Sequence, residues 1–378
     1  MKKYLLCVLA ALMLTGCLRN HNWLNFQVLP DVKLEKISSN HIKSLPLYLN
    51  AINDSLVYFL NEFESVMIWN TKTGAHSGTI IPLMNIPKFL KEEVNLSDTI
   101  EMYDLKLEKD PFFKTYPNYY LHNAFIKGEL CHLIVFVNNP LISRGIITIP
   151  YVPLLISTKL NGEVVEKSFI KLDSNILFTT NSGCIFFPEE KRLITSAISP
   201  NFYKVLTATL EYRDSQYSMV SYKKFPQFLD SIRNDMIKWD KPYQLIANCD
   251  FKMAGNDLLF SNNRDIYDHK TGKVIIPARF TPEDDTIRFI RTFVVIHNSR
   301  GKPKFIAYTE STYPDQILEF TTLADENNLI IRSLKTGKVV KKFTLGTKIS
   351  GLALQGNQLV WIEENDDALY FKRIKFKL

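Results

Sequence analysis

Four phrases of one form recur along this chain: VMIWNTKTGAHSGTI at 66–80, LLISTKLNGEVVEKSF at 154–169, DIYDHKTGKVIIPA at 265–278 and LIIRSLKTGKVVKKFTL at 329–345. Each reads as a strand, a short polar turn ending in glycine, and a second strand. Gly74, Gly162, Gly272 and Gly337 share that place for a steric reason. Hairpin loops of three to five residues commonly end in the left-handed region, which only glycine enters freely. A repeated hairpin constrains a fold strongly, because each copy leaves an apolar face that its neighbour must cover.

The text upstream of these turns extends the pattern. PLYLNA, SLVYFLN and VMIWN precede the first turn, and QLIANCDFKM, DLLFSN and DIYD precede the third. The C-terminus reads ISGLAL, QLVWIEE and LYFKRIKF. Strands separated by Asn, Asp and Gly turns are meanders, and four-stranded meanders of this length are the blades of a β-propeller. IWNTKTG resembles the end of a WD-type blade, with Trp69 and Asn70 where that family has Trp-Asp. The pattern departs from the family in its Asn and in lacking a Gly-His signature. The expected fold is all-β: a propeller with blades centred on 46–82, 119–170, 176–223, 243–278, 290–345 and 349–376, six in all, with seven as the alternative. The last phrase stops one strand short of a blade. WLNFQVL (23–29) or VKLEKIS (32–38) is expected to complete it, tying the termini together and removing an exposed sheet edge.

Two segments break the pattern. Residues 85–117 are charged and lack clean alternation, and read as an insertion. In FPQFLDSIRNDMIKW (225–239), Phe225, Phe228, Leu229, Ile232, Met236 and Trp239 recur at three- and four-residue steps behind Pro226, which predicts an amphipathic helix.

The chain opens MKKYLLCVLAALMLTGC. Lys2 and Lys3 precede an apolar run from Leu5 to Leu14, which suits a signal sequence and is too short to span a bilayer. Leu14-Thr15-Gly16-Cys17 resembles the lipobox of bacterial lipoproteins. That resemblance implies a signal peptide over 1–16, lipidation of Cys17, a short tether over 17–22 and one domain over 23–378. Leu18 replaces the Asp that often retains such proteins in the inner membrane, and no acidic cluster follows Cys17. The outer membrane, facing the periplasm, is therefore expected, with the cell surface as the alternative. Lipobox and blade pattern together resemble the propeller lipoproteins of Gram-negative cell envelopes.

The formal net charge is +7, and loss of Lys2 and Lys3 with the leader lowers it by two. Lysines scattered among acids read as a solvated surface, so no nucleic-acid partner is expected. Cys131, Cys184 and Cys249 follow the anchor, and three cysteines cannot form a complete disulfide framework. One disulfide among them stays open. No Gly-x-Ser-x-Gly elbow, Walker loop, dinucleotide glycine cluster or His-Glu-x-x-His occurs. His122, Cys131 and His132 are close in sequence, but Cys131 and His132 fall on opposite faces of a strand, so no metal or other cofactor is expected. Asp54, Asp104, Glu211 and Asp257, and the pairs Asp284-Asp285 and Asp366-Asp367, form no recognisable acidic site. The resulting reading is a monomeric, non-enzymatic propeller that binds a protein, peptide or glycan partner. Tyr116, Tyr119, Tyr120 and Tyr313 are candidate aromatic loop residues on that surface. The alternative is a carbohydrate- or peptide-processing propeller enzyme with an unrecognised acidic site, which needs carboxylates converging on the channel.

Overall fold

The computed structural model describes residues 24–36, 46, 48–61, 65–82, 119–138, 151–172, 183–198, 205–225, 249–262, 265–277, 286–314, 326–346, 348–365 and 368–378. The leader, Cys17, the tether, the 85–117 insertion and, of the helix expected over 225–239, all but Phe225 lie outside them.

Every named element is a strand. Two come first: β1 (Asn25–Val28) and β2 (Val32–Lys33). A meander follows in β3 (Asn50–Ala51), β4 (Leu56–Asn61), β5 (Ser65–Asn70) and β6 (His76–Ile80). The second runs through β7 (Tyr119–Lys127), β8 (Leu130–Asn138), β9 (Tyr151–Lys159) and β10 (Val164–Lys171). The third is β11 (Cys184–Phe187), β12 (Arg192–Ile198), β13 (Val205–Arg213) and β14 (Gln216–Lys224). The fourth is β15 (Cys249–Ala254), β16 (Asp257–Asn262), β17 (Ile266–Asp268) and β18 (Val274–Ile276). The fifth is β19 (Thr286–His297), β20 (Pro303–Pro314), β21 (Glu326–Ser333) and β22 (Val339–Leu345). The last holds β23 (Ala353–Gln355), β24 (Gln358–Asn365) and β25 (Ala368–Lys377).

The arrangement of sheets is propeller-like. The first strands follow one another around a common centre: β23 lies beside β3 and β19, β15 beside β19 and β11, and β7 beside β11 and β4. The last meander takes its missing outer strand from the N-terminus. Asn25 to Val28 pair antiparallel with Lys377 to Ile374, and Val32 and Lys33 pair with Phe371 and Tyr370. Both candidate closing segments therefore line one edge of β25. One feature departs from separate four-stranded blades. The second and third meanders join along their outer strands, where β10 runs parallel to β14 from Phe169↔Gln216 to Lys171↔Ser218, giving an eight-stranded sheet. The expectation of aromatic loop residues also needs correction: Tyr119 and Tyr120 belong to β7 and Tyr313 to β20, paired with Val137, Phe136 and Ile287. Tyr116 lies outside the described residues.

Three of the four repeated turns share one geometry, while the turn of the second meander is tighter, with Gly162 N–H donating to the Lys159 carbonyl three residues earlier. In the first, fourth and fifth meanders the glycine N–H donates to the carbonyl four residues earlier at 2.8 Å: Gly74 to Asn70, Gly272 to Asp268 and Gly337 to Ser333. The side chain of that earlier residue accepts from the following backbone. Asn70 Oδ1 takes the N–H of Lys72 and Thr73, Asp268 Oδ1 that of Thr271, and Ser333 Oγ that of Thr336. Asn, Asp and Ser are interchangeable here because each reaches its own backbone through a short polar arm. Gly74 and Gly337 have φ of +74° and +68°.

The core lies between meanders rather than in one mass. Tyr58, Val66 and Ile80 of the first meander meet Leu121, Leu133 and Ile156 of the second. Leu329 and Ile331 meet Trp361, Ile374 and Phe376 across the fifth and sixth. Trp69, Phe59, Ile362 and Phe371 close the ring between the sixth and the first. Each such side chain, fully buried, contributes about 1.5–3 kcal/mol, so loss of one meander strips apolar cover from two neighbours.

A polar joint links the third and fourth meanders. Thr207 Oγ1 and His269 Nε2 are 2.8 Å apart, and Lys223 Nζ donates to the carbonyls of His269 and Lys270. Burial, helped by Lys223 and Arg192 and opposed by Asp268, lowers the imidazole to about 4. Unfolded His269 takes up its proton near 6.5 while the folded side chain resists it. Stability present above pH 6.5 is therefore lost as pH falls towards 4. His269→Gln should shrink the difference between urea midpoints measured at pH 7 and pH 5. An unchanged difference would remove His269 from the acid response.

Candidate functional site

First strands ringed around one centre leave a central cleft, and the cavities found there are lined by them. One, of about 180 Å³, is bounded by Tyr48, Asn50, Asn123, Phe125, Ile185 and Asp250. A second, of about 260 Å³, runs from Asn50 past Lys252, Met253 and Val294 to Leu352 and Leu354. Asn50, Lys252 and Met253 border both. Strand alternation explains the mixture. Asp250 and Lys252 are two residues apart on β15, so both project to one side.

Asp250 is the one carboxylate among the described lining residues, and its residue is 4% exposed. Oδ1 accepts from the Phe251 N–H at 2.8 Å and meets Lys252 Nζ at 3.2 Å. Burial raises its carboxyl above the ordinary range, against the pull of Lys252 and the N–H groups of Phe251 and Phe293. A lone carboxylate held by a lysine and backbone amides is a brace between neighbouring first strands. Hydrolysis of a glycosidic bond by the two-carboxylate route needs a second acid at a defined separation, and the described lining supplies none.

The acids singled out from sequence lie elsewhere. Glu211 pairs with Arg213 at 2.7 Å, and Asp257 begins β16 as an exposed residue. Asp54 is in the turn before β4, against Gly356 of the last meander. Asp104, Asp284, Asp285, Asp366 and Asp367 lie outside the described residues.

Cys131, Cys184 and Cys249 are buried and not disulfide-bonded to one another. Burial pushes the thiols of Cys131, Cys184 and Cys249 up to about 12, so each remains protonated and is a poor nucleophile at neutral pH. Cys184 Sγ lies 3.1 Å from Thr195 Oγ1. Beside it the first strands of the third and fourth meanders approach so closely that a Cβ on Gly183 would stand 2.2 Å from the Cys249 carbonyl oxygen. Tyr48 OH donates to that same carbonyl at 2.6 Å.

Cys131 and His132 do point apart. Cys131 packs between the first and second meanders, whereas His132 Nδ1 lies 2.9 Å from Ser157 Oγ with its ring against Phe186. His122 instead packs edge-on to Phe136. Asn50, Asp250 and Lys252 escaped the reading of the sequence. Their one signal is position: polar residues inside the first strand of a meander, where both neighbours are apolar.

No protein-family model and no curated protein matches the chain. Among solved structures, that of BamB from Moraxella catarrhalis is similar at a TM-score of 0.39 and 8% identity, covering 92% of this chain and 99% of that one. A superposition this loose assigns no function.

Proposed function

We propose that this chain is a lipid-anchored protein of the bacterial cell envelope. It is tethered through Cys17 to the outer membrane and folded into a ring of six blades that binds a protein, peptide or glycan partner. The two meanders joined through β10 and β14 count as two blades, because each contributes its own first strand to the ring. The observation that carries the binding reading is the cleft itself. Lys252 and Asn50 border both cavities described above, beside apolar side chains. Oδ1 of the Asp250 carboxylate is already engaged by Lys252 and the Phe251 amide. Concave surfaces with a few placed polar groups among apolar ones suit recognition, and the lining as described suits recognition better than proton transfer.

The anchor and the binding surface are tested separately. Cys17→Ser should move the protein from the membrane fraction to the soluble one, because several acyl chains hold a protein where none cannot. Unchanged retention refutes the anchor. For the cleft, native and Asn50→Arg proteins are recovered from detergent-solubilised envelopes. A companion held by the native protein and lost from the variant supports the reading, and identical recovered material counts against it.

A further inference from the structure

Charge is unevenly placed around the ring. Tight turns of the second and third meanders set cations beside acids: Lys127 pairs with Glu189, Lys159 with Glu163, and Arg213 with Glu211. The fifth and sixth meanders differ. The turn at 298–304 reads NSRGKPK, the turn at 333–338 reads SLKTGK, and 368–378 reads ALYFKRIKFKL, with no acid in any of them. Arg300, Lys302, Lys335, Lys338, Lys375 and Lys377 are all exposed.

These six cations share one end of the ring. Leu334 N–H donates to the Lys304 carbonyl at 3.1 Å, bringing the two turns of the fifth meander together. β19 and β23 run side by side in the same direction, with Arg291 reaching the Ile349 carbonyl and Thr292 Oγ1 accepting from the Leu352 N–H. The turn at 356–357 therefore lies at that same end. Phe376 N–H donates to the Asn357 carbonyl at 2.9 Å, which fixes Lys375 and Lys377 beside it. β1 also starts there, with Asn25 opposite Lys377. Cys17 precedes Asn25 by eight residues, a stretch that reaches at most about 28 Å.

We infer that this basic end of the fifth and sixth meanders is a membrane-contact surface for anionic phospholipid headgroups, and that it fixes the orientation of the ring on its bilayer. Basic groups near an anionic leaflet each add attraction that fades within a Debye length. A surface one short tether from the acylated residue is the one held within that range. Lysines on outer strands also discourage edge-to-edge pairing, but that role does not require them to gather at one end of two adjacent meanders while the turns of the second and third stay balanced. The inference rests on the anchor reading for the direction of the membrane. Its test omits the lipid, so the two fail independently.

The experiment compares three full-length proteins, each carrying Cys17→Ser, in flotation with phosphatidylcholine vesicles with and without phosphatidylglycerol. The first has no other change. The second carries Lys335→Gln, Lys338→Gln, Lys375→Gln and Lys377→Gln. The third carries Lys72→Gln, Lys167→Gln, Lys270→Gln and Lys273→Gln, exposed positions on other meanders, and so loses the same charge. Any affinity of the leader is common to all three. Binding to the anionic vesicles should fall about tenfold or more in the second protein and remain near the first in the third, with no such difference on neutral vesicles. Equal binding by all three proteins overturns the inference, as does an equal fall in both variants, which would reduce it to net charge. Either result would leave the basic end to an acidic protein partner.

Discussion

Gly74→Ala should destabilise the protein by about 2–5 kcal/mol, well beyond the cost of the same change at Gly337. Both glycines close the same turn with φ near +70°, so both substitutions incur the left-handed penalty of about 1–2 kcal/mol. They differ in what surrounds them. A Cβ at Gly337 meets nothing within 4 Å, whereas one at Gly74 would stand 1.9 Å from the Lys33 carbonyl oxygen. That contact is backbone against backbone, and Glu35 N–H donates to the Gly74 carbonyl at 2.9 Å in the same place. The N-terminal segment is thus seated on the turn of the first meander, and a methyl group there must displace it, adding about 1–3 kcal/mol of overpacking. Urea midpoints of the two variants decide the matter: equal losses would mean that the segment does not rest on Gly74.

The contrast between these glycines marks how far the sequence could be read. A positive φ at Gly74, Gly162, Gly272 and Gly337 follows from local chemistry, since the polar residue, the turn length and the flanking strands all lie within about ten positions. The strand phrases expected at 119–170 and 349–376 fall on β7–β10 and β23–β25 for the same reason. Alternation and turn residues are short-range signals. What the sequence did not disclose involves remote partners. The parallel pairing of Phe169–Lys171 with Gln216–Ser218 leaves no trace in either strand, because an outer strand looks alike whether its edge is paired or free. Gly183 sits outside any turn phrase, and its requirement comes wholly from the Cys249 carbonyl on the neighbouring first strand. Nothing within QLIANCDFKM marks Asp250 out, because the group that helps to hold it, the Phe293 amide, comes from the neighbouring strand β19. Tyr119 and Tyr120 differ from the loop expectation for a related reason: they follow Pro117-Asn118, while pairing with the remote strand β8 carries β7 back to Tyr119.

Removing residues 24–36 should leave a chain that no longer folds cooperatively. Loss of an end segment is usually mild when that end is loose, but this one is stitched on both sides. Leu24 and Phe26 pack towards the fifth meander, where Phe26 meets Phe343 edge-on at 5.6 Å between centroids. Leu34 and Val32 pack towards the first, beside Trp69 and Phe371. Between them Leu29 and Leu34 donate to the carbonyls of Arg373 and Leu369, and Asp31 pairs with Lys372 at 2.6 Å. Burial of Leu24 and Leu34 alone contributes about 3–6 kcal/mol, a large share of the roughly 5–15 kcal/mol that holds a domain together. The deletion also bares β25 as a free edge bearing Phe371, Ile374 and Phe376, which invites pairing between chains. Hydrogen exchange locates the damage. Amides of β24 and β25 should lose protection first, and a peptide of residues 24–36 added in excess should restore it. A truncated chain that keeps its urea midpoint within about 1 kcal/mol of the parent would show that the ring closes without its N-terminal strands. The tether would then pull on a dispensable strap instead of on the seam that joins the first and last meanders.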